Sequence, residues 1–363
     1  MAHSHFLTRR EALERVAMTA AFAAAAPLTM LAQRPAFPKG AIIRTLLKDY
    51  APEELAGGAT LFHEHMSLAP DFNDKFRAAT AAARAANGLP PLQGRAGGPP
   101  APPPGPDPMR DVDLMAEELA TAKREGIACI VDGGHPDMGR DLEFVRQASM
   151  KSGVPVVAGA GFYAEPFYPK EIATMSEEQI VQALIKQADD DPAGAFGEIG
   201  SWDEITATER KVFRAVGKAH VATNLPIFTH TGIPGKSAIE QLDILEDAGV
   251  NPNRVAIGHL GNLVDQNVYV HKVICRRGAY VAFDRQGGNG DAQQVPLVMA
   301  LLEAGFADRL LFSSDASRGY GKTLTIFLPK LKAVGAGDEA LRRIMVDNPR
   351  RFLAFVPKRK RQA

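Results

Sequence analysis

His63 and His65 stand two residues apart in the run FHEHM. In an extended strand successive side chains alternate, so the two imidazoles share one face and Glu64 takes the other. A salt bridge toward the helix layer is the expected use of Glu64 there. A histidine pair of this spacing is a weak signal by itself. It gains force from what ends other apolar runs: Glu198 in GEIG, His230 in FTHT, His259 in IGHLG and Asp315 in SSDAS. Four imidazoles and two carboxylates brought into one apolar interior cost too much to bury unless a cation joins them. The pattern points to divalent metal held by nitrogen and oxygen, a donor set that suits zinc, manganese or cobalt. The chain has two cysteines, Cys129 in IACIVDGG and Cys275 in KVICRRG. That count excludes a cysteine zinc site, and both positions read as buried free thiols. His220 and His271 fall in helical segments and are expected at the surface or in packing. Asp132 and His135 read equally as groups behind the metal ligands or as loop caps.

Such residues need a scaffold that gathers the ends of several strands. Apolar β-type runs occupy 59–66, 127–134, 154–163, 194–200, 226–232, 254–261, 279–287 and 309–317. Helical apolar spacing fills intervals such as Glu209 to Thr223 and Ser237 to Ala248. Gly126, Gly153, Gly249, Gly278 and Gly305 close helical segments, where a left-handed residue is the usual stop. Eight strand–helix units predict an α/β fold, a TIM (β/α)8 barrel, with its site at the C-terminal ends of the strands. One barrel over 33–357 accounts for the length. Residues 88–108 (GLPPLQGRAGGPPAPPPGPDP) are too rich in proline and glycine for helix or strand. They read as a disordered insertion on the active face or as a lid.

With 45% apolar and 23% charged residues the chain fits an ordinary globular protein, which excludes global disorder. A formal charge of zero removes the electrostatic basis for nucleic-acid binding. Residues 358–363 read as a solvated basic tail. At the other end Arg9-Arg10 precedes an Ala-rich apolar stretch from Val16 to Ala32, broken by Pro27. The stretch is shorter than the roughly 20 residues that span a bilayer. It resembles a twin-arginine export signal over residues 1–32, cut after Ala24-Ala25-Ala26 or near Ala32. The expectation is an exported, periplasmic protein that engages the export machinery through this leader. His3 and His5 lie in the leader and are set aside.

The ordered set HEH, GEIG, THT, GH and SxD resembles the phosphotriesterase family of the amidohydrolase superfamily, from about Gly40 to Phe355. The resemblance implies a hydrolase with two divalent metal ions per chain, zinc first, manganese or cobalt otherwise. It implies that His63, His65 and Asp315 hold the buried metal, that His230 and His259 hold the more exposed one, and that the residue ending strand 4 bridges them. The best-known members bridge with a carboxylated lysine. Here the nearest lysines, Lys186 and Lys211, lie in helices, and Glu198 stands at the bridging position. That places the chain beside the branch of phosphotriesterase homology proteins and lactonase-like members. A glutamate supplies the same charge and two oxygens on a shorter arm.

Two metals about 3.5–4 Å apart that share a hydroxide make a nucleophile at neutral pH and polarise the oxygen under attack. Asp315 is then the candidate proton acceptor and shuttle. The resemblance also implies that Arg285, in FDRQG, lies beside the substrate pocket, and that Tyr163, in GFY, lies near the bridging hydroxide. Both keep a structural alternative, an ion pair for Arg285 and wall packing for Tyr163. The expected reaction is hydrolysis of a small-molecule carboxylic ester or lactone, with organophosphate triesters as side substrates. Two alternatives stay open: an exported metal- or ligand-binding protein without turnover, and a mononuclear amidohydrolase acting on cyclic amides. A homodimer is left open as well.

Overall fold

The computed structural model describes residues 35–90, 105–232, 237–263 and 265–358. The leader (1–32), the middle of the Pro/Gly-rich insertion and all of the basic tail except Lys358 fall outside them. Eight parallel strands follow one another around a ring. They are Ala59–Glu64 (β1), Ile127–Asp132 (β2), Val156–Ala160 (β3), Ala193–Ser201 (β4), Ile227–Thr231 (β5), Val255–Ile257 (β6), Tyr280–Phe283 (β7) and Leu310–Phe312 (β8). Each pairs in parallel with the next in sequence, from β1·β2 through β7·β8. Past the end of β8 the chain closes the ring onto β1: Asp315 N–H donates to His63 O at 3.2 Å and His65 N–H to Ala316 O at 2.9 Å. The fold is the TIM barrel expected from the strand–helix rhythm.

The inner core draws on every strand, through Phe62, Val131, Val157, Ala195, Phe228, Ala256, Ala282 and Leu311, with Cys129 and Tyr280 added from β2 and β7. Ile43, Phe352 and Leu353 continue that cluster beyond the strands. A second, larger cluster joins the outward strand faces to the helices, as when Ile130 and Val156 pack with Met115, Leu119 and Val145. This two-layer core is the usual result of strands apolar on both faces. Strict alternation along β1 is not kept. The β1·β2 ladder shifts register between Leu61 and Glu64, and Phe62 joins the inner cluster although His63, beside it, also turns to the barrel axis.

The helices end and begin as their sequences dictate. Asp111, Asp141, Ser176 and Thr206 each accept a backbone N–H at a helix start. Gly126, Gly153, Gly249, Gly278 and Gly305 all have positive φ, between 63° and 102°. The helix expected near 109–126 spans Val112–Arg124 (α2), preceded by a 3-10 turn at Pro108–Arg110 in which Pro108 is buried. The last residues of the 88–108 segment thus include a buried position that its composition did not suggest. Glu209 to Thr223 begins slightly earlier, as Ala207–Thr223, and Ser237 to Ala248 runs Ser237–Asp247. Both cysteines are buried and free. Among the described residues no helix is long and apolar enough to cross a membrane.

One helix was not anticipated. Phe72–Ala86 (α1, FNDKFRAATAAARAA) lies between β1 and the insertion. Its alanines favour helix, and Phe72 and Phe76, four apart, stack at 6.1 Å between ring centroids. The indole N–H of Trp202 donates to Ala79 O at 3.2 Å. This ties α1 to the loop after β4, at the mouth of the barrel.

Candidate metal centre

His63, Glu198 and His230 lie within β1, β4 and β5, and the other residues of the cluster lie just past their strands. His65 is one residue past β1, His259 two past β6, Arg285 two past β7 and Asp315 three past β8. His259, Arg285 and Asp315 sit at φ of 59°, 63° and 48°. Left-handed backbone is unusual for residues with a Cβ and persists where the surroundings over-determine it. The turns let these side chains leave the strand direction and aim at one point.

That point is Glu198, 2% exposed within β4. Its Oε1 lies 3.3 Å from His65 Nε2. Its Oε2 lies 3.3 Å from His63 Nε2, 2.8 Å from His230 Nδ1 and 3.4 Å from His259 Nε2. Asp315 Oδ1 lies 3.2 Å from His65 Nε2 and 3.9 Å from His63 Nε2. His230 Nδ1 and His259 Nε2 are 2.7 Å apart. The structure thus brings all six sequence-predicted ligand residues together, with Glu198 between His65 and Asp315 on one side and His230 and His259 on the other.

A divalent metal fits this donor set. His63 Nε2 is fully buried, faces the cluster and has no hydrogen-bond partner, while its Nδ1 lies 3.3 Å from Asp284. Fixing one ring nitrogen with a carboxylate leaves the other as a lone pair for a metal. Two groups of donor atoms are close enough to share an ion: His63, His65 and Asp315, and His63, Glu198 and His259. The first is the set expected for the buried metal. The second places His63 with His259 where His230 was expected.

The charges in the cluster are strongly coupled. Burial alone would lower the pKa of His65, but hydrogen bonds from Asp315 and Glu198 push it up to about 10. His230 is brought down to about 4 by burial and by the neighbouring His259. Burial would raise the carboxyls of Glu198 and Asp315. His63 and His230 overcome that for Glu198, and His65 with Arg285 for Asp315, so both lie well below the usual carboxylate range.

Around this floor lies a cavity of about 170 Å³. Leu68, Phe72, Phe76 and Met109 form its apolar wall, and Asn73 and Ser317 are its uncharged polar groups. Arg285 Nε donates to Asp315 Oδ2 at 2.8 Å and also lines the cavity. The ion-pair alternative and the pocket position for Arg285 therefore both hold. The hydroxyl of Tyr163 lies 3.0 Å from His230 Nδ1, and its ring packs against Phe72 and Phe167. Tyr163 is wall and polar contact at once.

Several neighbours were misread or missed. Glu64 forms no salt bridge with any described residue; it is fully buried against the segment after β8, where Ser314 and Ala316 donate to it. Asp284 went unremarked in FDRQG, yet it contacts both His63 and His259. Its signal was an acidic residue directly before Arg285 at a strand end. Gln241 holds His230 in place by donating to its carbonyl at 3.0 Å. Asp132 accepts Met66 N–H at 2.9 Å, one residue past His65, and His135 is buried 3.6 Å from Asp137. His220 and His271 are packing residues, each bonded to a backbone carbonyl.

Comparison with known proteins agrees with this geometry. Residues 50–353 match the Phosphotriesterase family. The phosphotriesterase homology protein of Escherichia coli is 31% identical over 259 residues, 66% of this chain and 88% of that protein. Its crystal structure, complexed with phosphate in the active site, superposes with a TM-score of 0.67 at 27% identity, over 82% of this chain and 99% of that one. The human N-acetyltaurine hydrolase is 26% identical over 276 residues, 68% of this chain and 78% of that enzyme. The chain belongs to the phosphotriesterase family, whose members are metal-dependent hydrolases.

Proposed function

We propose that this protein hydrolyses a carboxylic ester or lactone with two divalent metal ions, zinc first, and cleaves organophosphate triesters as a side activity. The observation that carries the reading is the convergence of His63, His65, His230, His259 and Asp315 on Glu198 at the floor of a small, partly apolar cavity. When bound, the metal ions would supply an activated water at neutral pH and polarise the oxygen of the scissile group. His63, His65, Glu198, His230, His259 and Asp315 would hold them. Asp315, beside His65 and Arg285, is placed to take the proton released by the attacking water. Arg285 would hold that carboxylate in position. The wall of Phe72 and Phe76 would take the apolar part of the substrate and keep bulk water from the floor.

Amide hydrolysis is the second reading, favoured by the sequence likeness to the human N-acetyltaurine hydrolase. An amine must be protonated before it leaves, whereas an alkoxide needs less help. The test is kcat/KM for the zinc- or manganese-loaded protein on lactones, aryl esters, phosphotriesters and N-acyl amides, N-acetyltaurine included. Highest values on lactones or esters support the first reading. Values at least tenfold higher on an amide replace it with the second, and no turnover with full metal content would leave a binding protein. Export through the Arg9-Arg10 leader is proposed with the same reading and is checked by cell fractionation of a twin-lysine variant.

A further inference from the structure

We infer that Glu64 is a positioning residue for Asp315, and that it sets the metal affinity of the centre although it faces away from it. The inference rests on the reading of Asp315 as a metal ligand. Glu64 Oε1 accepts from Ser314 N–H and from the Ser314 hydroxyl, both at 2.8 Å. Its Oε2 accepts from Ala316 N–H at 2.8 Å. The Ser313 hydroxyl has one proton to give and lies within reach of both Glu64 Oε1 (2.8 Å) and His63 O (2.6 Å). The two backbone donors therefore flank Asp315, one on each side.

This matters because Asp315 is held in a conformation it would not choose. At φ 48° its backbone is left-handed, a region that residues with a Cβ rarely occupy. A loop free to relax would return Asp315 to an ordinary conformation and turn its carboxylate away from His65. Two further bonds tie the same segment to β1, from Asp315 N–H to His63 O and from His65 N–H to Ala316 O. Glu64 lies between the two histidines in sequence. One stretch of β1 thus supplies His63 and His65 as candidate ligands and Glu64 as the clamp on the third, Asp315.

Glutamine at position 64 has the right shape but only one acceptor oxygen. Its amide N–H would face either Ser314 N–H or Ala316 N–H, donor against donor. Zinc affinity, measured by competition with a chromogenic chelator, is expected to fall roughly 10–100-fold in Glu64→Gln, the range found when a residue supporting a metal ligand is lost. Ser314→Ala, which removes one hydroxyl and keeps both backbone donors, should fall in the same direction by less.

A general loss of fold is separated from positioning by a double-mutant cycle with Asp315→Ala. If Glu64 acts through Asp315, Glu64→Gln lowers zinc affinity in the wild-type background and has almost no further effect once Asp315 is alanine. Equal losses in both backgrounds, or unchanged affinity in the wild-type background, overturn the inference. Should Glu64→Gln not fold, Ser314→Ala completes the same cycle and is judged by the same two outcomes. Because the cycle reads zinc affinity, it decides the role of Glu64 even if the substrate panel shows no turnover.

Discussion

Asp284 grips His259 twice, accepting from its ring Nδ1–H at 2.6 Å and from its backbone N–H at 3.2 Å. The oxygen that takes the backbone N–H also lies 3.3 Å from His63 Nδ1. A single buried carboxylate thereby orients two imidazoles from opposite parts of the barrel so that each turns Nε2 toward Glu198. Carboxylate–histidine–metal arrangements of this kind fix both ring orientation and tautomer. Asp284→Asn would leave one ring facing an amide instead of a charge. Metal affinity is expected to drop about 10–100-fold with the barrel still folded, measured by chelator competition beside circular dichroism. Unchanged affinity would remove Asp284 from the centre.

The ligand residues should separate by what their loss removes. Elemental analysis of His63→Ala, His65→Ala, His230→Ala, His259→Ala and Asp315→Ala is expected to show at least one metal lost per chain in each. Asp315→Asn keeps one oxygen for a metal but cannot accept a proton. Turnover should fall by about 10²–10⁴-fold, the contribution of a positioned acid–base group, with at least one metal retained. Wild-type metal content in three of the alanine variants would defeat the ligand set, and near wild-type turnover in Asp315→Asn would defeat its proton-carrying role.

The proposed role of Glu198 as the bridging residue can be told apart from a bridge made by a carboxylated lysine. A glutamate needs no carbon dioxide, because its carboxylate is supplied by the chain and ionised at neutral pH. Metal-stripped protein is therefore expected to regain metal and activity at a rate independent of bicarbonate. Glu198→Gln should bind metal poorly, since two divalent cations would face each other with one charge less between them. Reactivation of the wild type that accelerates markedly with bicarbonate would show that a lysine bridges instead.

Glu209, away from the centre, gives the fold a pH dependence. It accepts Thr206 N–H at the start of its helix and is 3% exposed. Burial pushes its carboxyl up to about 7 from the ordinary 4.5. A folded-state pKa above the unfolded value favours the fold fully below the unfolded value. The advantage is lost as pH rises through the folded one. Stability should accordingly fall between about pH 4.5 and 7, by on the order of 2–4 kcal/mol from this group. Glu209→Gln stays neutral and should flatten that slope in urea unfolding at pH 5, 6, 7 and 8. Parallel pH profiles for the two proteins would exclude Glu209 as the source.

The sequence by itself determined the barrel, because eight apolar runs separated by glycine-stopped helices admit few other layouts. It also determined which residues could bind metal, since His63, His65, Glu198, His230, His259 and Asp315 each end a run and none is explained by packing. What it could not supply depends on contacts between residues far apart in the chain. Glu64 meets Ser314 and Ala316 across some 250 positions, and Asp284 meets His63 across 221. Alternation within one strand has no access to such partners, so Glu64 read as an outward salt bridge. The left-handed turns at His259, Arg285 and Asp315 are equally invisible locally, because each is an unfavourable conformation that only surrounding hydrogen bonds can hold. Helix α1 was obscured by the Pro/Gly-rich insertion that follows it, and its phenylalanines acquired meaning once the barrel mouth lay beneath them. Residue type named the chemistry; the tertiary contacts fixed which atom of each side chain faces which.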